Sequence, residues 1–140
     1  MKTPFDSLVL AQKKRLDAIE QQIIRANNKI ATKYTQIDEL QIMLSQVTYP
    51  KEGNFSAFLK TNAQKKTLID EMDRIRYYIS NLKLEIKKLQ EQRKIIYIEY
   101  EKYKHIQEQE REKLLKELKQ AESKNLNEIA LLLYNKPLPI

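Results

Sequence analysis

His105 is the single histidine of the chain, and Glu101 and Glu108 are the acids within helical reach of it. An imidazole beside a carboxylate can relay a proton or help hold a metal ion, but on an exposed helix that spacing describes a surface pair. The tightest carboxylate pairs are Asp38 with Glu39 and Asp70 with Glu71. General acid–base work needs two carboxyls turned toward one substrate, whereas neighbours on a helix point to different sides. Asp70 is better placed against Arg74, and Glu112 against Lys116, each four residues on, where an ion pair supports the helix. The chain has no cysteine and one glycine. That removes thiolate nucleophiles, disulfides and thiolate metal sites, together with the tight phosphate-cradling turns that need several glycines. Neither catalysis nor a cofactor nor a bound metal is expected.

Aromatic and basic residues come next. Tyr97, Tyr100 and Tyr103 step by three, with Tyr77 and Tyr78 earlier in the same segment. Rings interleaved with Lys and Arg can stack on bases, but Tyr100 and Tyr103 also fall on an apolar seam, where they close a helix interface. Tyr49, Phe55 and Phe58 cluster around a turn signal, where little surface exists to bury three rings, and form a candidate partner-binding patch. The formal charge of +7 invites a reading as a nucleic-acid or acidic-membrane binder. Its distribution argues otherwise: residues 54–104 carry twelve basic and seven acidic side chains in mixed order, the pattern of a solvated face.

The elements that must carry these residues are long helices. Ala, Glu, Lys, Leu and Arg make up roughly half of the chain, the bias of coiled coils. One seam runs through Phe5, Val9, Leu16, Ile19, Ile23, Ala26, Ile30, Ile37, Leu40, Leu44 and Val47, with Gln12 and Lys33 as polar interruptions. A second runs through Phe58, Leu68, Met72, Ile75, Ile79, Leu82, Ile86, Leu89, Ile96, Tyr100 and Tyr103, interrupted by Thr61, Lys65 and Arg93. Spacings alternating between three and four over this many turns predict an all-α, two-helix antiparallel coiled-coil hairpin with a longer second helix, forming a single elongated domain over residues 1–140. Thr3, Pro4 and Asp6 make a helix start. Helix one is expected over about 4–48, a turn over 49–54 where Pro50 bars helical geometry at Tyr49 and Gly53-Asn54 permits reversal, and helix two over about 55–135, ended by Pro137.

Folding the seams on one another with a tight turn places Val47 opposite Phe58, Ile37 opposite Leu68, Gln12 opposite Arg93 and Phe5 opposite Tyr100. Past Tyr100 helix two then has no partner, yet Leu115, Leu118, Leu126, Ile129 and Leu133 keep an apolar stripe. A lone helix cannot bury such a stripe, so another protein, or a second copy in a homodimer, is expected to cover it. No stretch approaches the roughly 20 apolar residues of a membrane helix, and the opening segment lacks a signal-peptide core. A cytoplasmic protein is expected.

Phe55-Ser56-Ala57-Phe58-Leu59 at the opening of helix two, the run from Tyr97 to Lys104 leading into Glu108-Gln109-Glu110-Arg111-Glu112, and Asn127-Glu128-Ile129-Ala130 near the end resemble the flagellar FliJ family of type III export proteins. The resemblance spans the whole chain. Asn127 stands where that family's ending carries an aspartate. The resemblance implies a protein of flagellum biogenesis and motility: a cytoplasmic stalk or chaperone-like component, peripheral at the inner-membrane export apparatus. It would bind the export ATPase FliI, the export gate FlhA and export chaperones without performing chemistry. It further implies an ATPase-ring contact built from Phe5, Lys13, Lys14, Arg15, Leu118, Leu126, Ile129 and Leu133. The gate or partner contact would be built from Tyr49, Phe55 and Phe58. Asn62 and Lys65 depart from the apolar or small residues the gate surface would carry. The alternatives are a basic coiled coil associated with nucleic acid or ribosomes, and a general structural tether.

Overall fold

A computed structural model describes residues 2–134, and over them the chain forms two helices, α1 (Asp6–Gln46) and α2 (Phe55–Tyr134), packed as a helical hairpin with the second helix longer. Neither helix contains glycine or proline, so nothing in 41 and 80 residues respectively interrupts the backbone ladder. The expected end of helix two at Asn135 and its stop at Pro137 lie outside the described residues.

α1 starts two residues after the expected Pro4, because Thr3, Pro4 and Phe5 form the turn that caps it. The Thr3 amide donates to Asp6 Oδ2 at 3.0 Å and the Thr3 hydroxyl to Asp6 Oδ1 at 2.9 Å, while the Phe5 amide donates to Thr3 Oγ1 at 3.3 Å. This is a capping box, which satisfies amides that the helix cannot reach. α1 ends at Gln46, two residues before the expected Thr48. α2 begins with Asn54 Oδ1 accepting from the Ala57 amide at 3.0 Å, an N-cap. Gly53 has an ordinary negative φ, so the reversal does not draw on its left-handed freedom as the sequence led us to expect.

Two compact units divide the hairpin: Leu16–Ile95, and Met1–Arg15 with Ile96–Ile140. In the first, Leu16, Ala26, Ile37, Leu40, Met72, Ile79, Leu82, Ile86 and Leu89 are buried, with Ile37, Leu40, Met72 and Ile79 forming one cluster flanked by Ile30, Leu44, Leu68 and Ile75. Every one of these was on a predicted seam. None is completely enclosed, since a two-helix interface always leaves a rim open to solvent. Lys33 swings its ammonium out over the Tyr78 ring, 5.0 Å from the centroid, keeping its stem in the seam and its charge in water.

The register differs from the expected one. Arg93 donates to Glu20 at 3.0 and 3.2 Å, and Lys83 donates to the Tyr34 hydroxyl at 3.0 Å. Gln12, the expected companion of Arg93, accepts instead from Arg15 on its own helix at 3.4 Å. The partners are displaced by about one heptad. The linker explains this. It is not a tight turn: Tyr49 lies against α2, its hydroxyl donating to Asn62 Oδ1 at 2.5 Å and its ring stacked 5.0 Å from that of Phe58. Extended chain rises about 3.3 Å per residue against about 1.5 Å for helix, so residues 47–54 climb beside several turns of α2 and α1 ends opposite a later stretch of it.

Candidate functional site: two partner-facing surfaces

The first surface belongs to the unit that joins the start of α1 to the distal part of α2. Asp6 is its organising charge. Its Oδ1 accepts from the buried Gln107 amide at 2.6 Å and lies 3.6 Å from the Arg111 guanidinium. The Gln107 hydrogen bond, then those of Thr3, with Arg111 nearby, hold the Asp6 carboxyl at about 2, below its ordinary 3.8. The heptad displacement carries α1 further along α2 than expected: Lys13, not Phe5, reaches the Tyr100 ring, 5.9 Å from its centroid, and Arg15 lies 3.8 Å from Glu99. Lys2 reaches further, lining an open hollow of about 440 Å³ with Leu114, Glu117, Leu118 and Ala121. The portion of α2 beyond its partner is therefore shorter than the sequence reading held. It is still long enough to leave Leu126, Ile129 and Leu133 exposed at 67%, 53% and 68%, joined by Leu131, Leu132 and Tyr134.

The expected ring-contact residues thus fall into two groups. Phe5, half-buried, with Lys13, Lys14 and Arg15 flanks the paired part of this unit, and two of those cations already have partners within the chain. Leu118 stands at the Lys2 hollow, while Leu126, Ile129 and Leu133 lie further along, where α1 no longer covers α2. The clamp of Thr3, Asp6, Gln107 and Arg111 was missed as a cross-helix device. The Thr3-x-x-Asp6 spacing signalled the cap alone, because the long-range half depends on register.

The second surface is the turn of the hairpin, within the other unit. Tyr49, Phe58 and Phe55 do come together: the Phe55 and Phe58 centroids are 6.5 Å apart, and Phe55 is 73% exposed. Asn62 and Lys65 have a structural role. Asn62 takes the Tyr49 hydrogen bond, and the Lys65 ammonium sits 4.2 Å from the Tyr49 ring centroid, an attractive cation–π distance. The same pairing recurs elsewhere, with Lys83 on Tyr34 at 5.6 Å and Lys104 on Tyr100 at 5.7 Å. Interleaved rings and lysines therefore serve one another within the chain. His105 is exposed, and among the described residues no three His, Cys, Asp or Glu gather as metal ligands. Arg76 pairs with Asp73 at 3.1 Å in place of the expected Asp70–Arg74 pair.

No helix among the described residues is long and apolar enough to cross a membrane. A family model described as "Flagellar FliJ protein" matches residues 1–138. Comparison with curated proteins and with solved structures gave no match. With the match running over nearly the whole chain and two heptad-patterned helices of unequal length beneath it, the chain belongs to the FliJ family of flagellar proteins.

Proposed function

We propose that this chain is a non-catalytic stalk of the flagellar export apparatus, acting in the cytoplasm beside the inner membrane. Family membership makes it a flagellar export-related protein; the specific partners are our reading. The observation that carries it is the apolar stripe of Leu118, Leu126, Ile129 and Leu133, left exposed on a helix that is otherwise paired. An exposed stripe of this kind on a single helix calls for a groove or ring in another protein. We assign it to the export ATPase FliI, with Phe5, Lys13, Lys14 and Arg15 as the flanking contacts. A helix that touches ring subunits unequally biases their conformations, and so promotes assembly and ATP turnover without a reactive group of its own. The turn residues Tyr49, Phe55 and Phe58 are assigned to the gate FlhA, and export chaperones are expected to share one of the two surfaces.

The test adds purified protein to the cognate ATPase. Full-length chain is expected to stimulate turnover, and a chain truncated after Leu114 is expected to lose that effect. Undiminished stimulation by the truncated chain would overturn the ring assignment. A full-length homodimer that dissociates on the same truncation, with no stimulation in either form, would give the stripe to a second copy.

A further inference from the structure

Charge is spread unevenly along the two helices. Residues 76–95 of α2 carry six basic and two acidic side chains, whereas residues 16–38 of α1 carry three of each, so most of the net charge of +7 lies on this stretch of α2. Arg76, Ser80, Lys83, Lys87, Gln90 and Lys94 recur at alternating steps of four and three, so they share one face. Glu85 lies two residues from Lys83 and from Lys87 and is turned away from both, Asp73 at the end of the face is held by Arg76 at 3.1 Å, and Glu91 borders the row. Contacts across the interface show which side of α1 this face adjoins. The Lys83 ammonium donates to the Tyr34 hydroxyl at 3.0 Å and sits 5.6 Å from that ring's centroid, and Gln90 and Arg93 line an open hollow of about 410 Å³ with Glu20, Ile23 and Ile24. Arg93 takes Glu20 at 3.0 Å, which neutralises the carboxylate in the hollow, while Ile24 is 50% exposed. Among the described residues Lys87 and Lys94 have no ion pair. An apolar floor thus lies beside a row of ammonium groups.

We propose that this side of the Leu16–Ile95 unit is a docking groove for an acidic amphipathic helix of another protein, whose apolar side chains enter the hollow over Ile24 while its carboxylates lie along Lys83, Lys87 and Lys94. Lys87 and Lys94 stand one heptad apart, about 10 Å along the axis, which is also the spacing of carboxylates repeated every heptad on a partner helix. A second copy of this chain would bring the same positive excess and be repelled. A nucleic-acid backbone would meet the lysines but leave Ile24 uncovered, and the Tyr34 ring already carries Lys83 in place of a base. The contact goes beyond the export reading: Lys87 is more than thirty residues along α2 from Phe55 and from Leu118, so the surfaces assigned to the gate and to the ring stay free.

The probe is a fluorescently labelled synthetic helix of about 28 residues, long enough to hold its structure, with one leucine in each heptad and glutamates on both sides of it. Its anisotropy is followed as full-length protein is added. Binding is expected, weakening with added salt, and a peptide with glutamine for every glutamate is expected to bind about tenfold less tightly or worse. Lys87→Gln with Lys94→Gln is expected to weaken binding about fivefold or more, and Ile24→Ser about threefold, with helix content and ATPase stimulation unchanged. Lys60→Gln with Lys66→Gln makes the same change in net charge about 30 Å or more along α2, beyond the Debye length of about 10 Å, and is expected to alter affinity less than twofold. Absence of binding by the acidic helix would overturn the proposal, as would equal binding of the glutamine peptide. Equal loss from the Lys60 and Lys66 changes would overturn it too, by making the attraction one of overall charge. Tighter binding of a labelled RNA duplex, lost with Lys87 and Lys94, would give the face to nucleic acid instead.

Discussion

Asp6 shows how one side chain performs two tasks that reading along the chain would separate. It closes the capping box with Thr3, and it receives Gln107 and Arg111 from the other helix. Its carboxyl titrates at about 2 in the folded chain, below the ordinary 3.8, so the clamp's contribution is complete above the ordinary value and is lost as pH falls through about 2. Asp6→Asn is therefore expected to lower the melting temperature at neutral pH and to converge with the parent as the solution is acidified, followed by circular dichroism. At the turn, Tyr49→Phe keeps the ring on Phe58 and Lys65 but removes the donor to Asn62, and is expected to cost about 1 kcal/mol. Tyr49→Ala, which also removes the ring contacts, is expected to cost more; equal losses from the two variants in denaturant melts would show that the ring contacts contribute nothing.

At the scale of elements, the linker decides how α1 and α2 meet. Gly53 lies in ordinary backbone, and an added Cβ would lie 3.5 Å from Ala57 and 3.7 Å from Pro50, normal packing distances. Gly53→Ala should thus be tolerated, or raise stability by up to about 1 kcal/mol through the unfolded chain. Asn54→Ala should cost about 1 kcal/mol as a lost cap, and urea titration separates the two. The register is tested by distance. Spin labels at Glu20→Cys and Arg93→Cys should report a close pair, and labels at Gln12→Cys and Arg93→Cys a clearly longer separation; the reverse order would restore the tight-turn alignment. Within the seam, Ile79→Ala should cost about 2 kcal/mol or more, the lower end of buried truncations because this interface keeps a solvent rim.

For the molecule as a whole, both helices contribute to each of the two units, so neither unit contains a complete helix of its own. We propose that residues 1–140 unfold as one domain, with one transition by circular dichroism and by tyrosine fluorescence alike; two resolved transitions would show that the units melt separately. The excess of positive charge leaves room for lysines to act outward, yet Arg15, Arg76, Arg93 and Arg111 lie near carboxylates within the chain. The functional contacts are therefore expected to depend on apolar residues at exposed ends, with charge setting approach and salt dependence.

Much of this was legible along the chain. Apolar spacing named the buried residues Leu16, Ala26, Ile37, Leu40, Met72, Ile79, Leu82, Ile86, Leu89 and Ile96, and the absence of glycine and proline set the helices. Cap chemistry marked Thr3, and turn chemistry marked Pro50, because these act over a few bonds; Asn54 was marked for the reversal, and its cap on the Ala57 amide came from the structure. The alignment of one seam on the other was not legible. A heptad pattern looks the same after a slip of one heptad, since every apolar layer then meets another, so only the path of residues 47–54 and the long-range contacts of Asp6, Glu20 and Tyr49 break the tie. Tertiary structure therefore decided which part of α2 stays uncovered, and with it where the exposed stripe of Leu126, Ile129 and Leu133 begins.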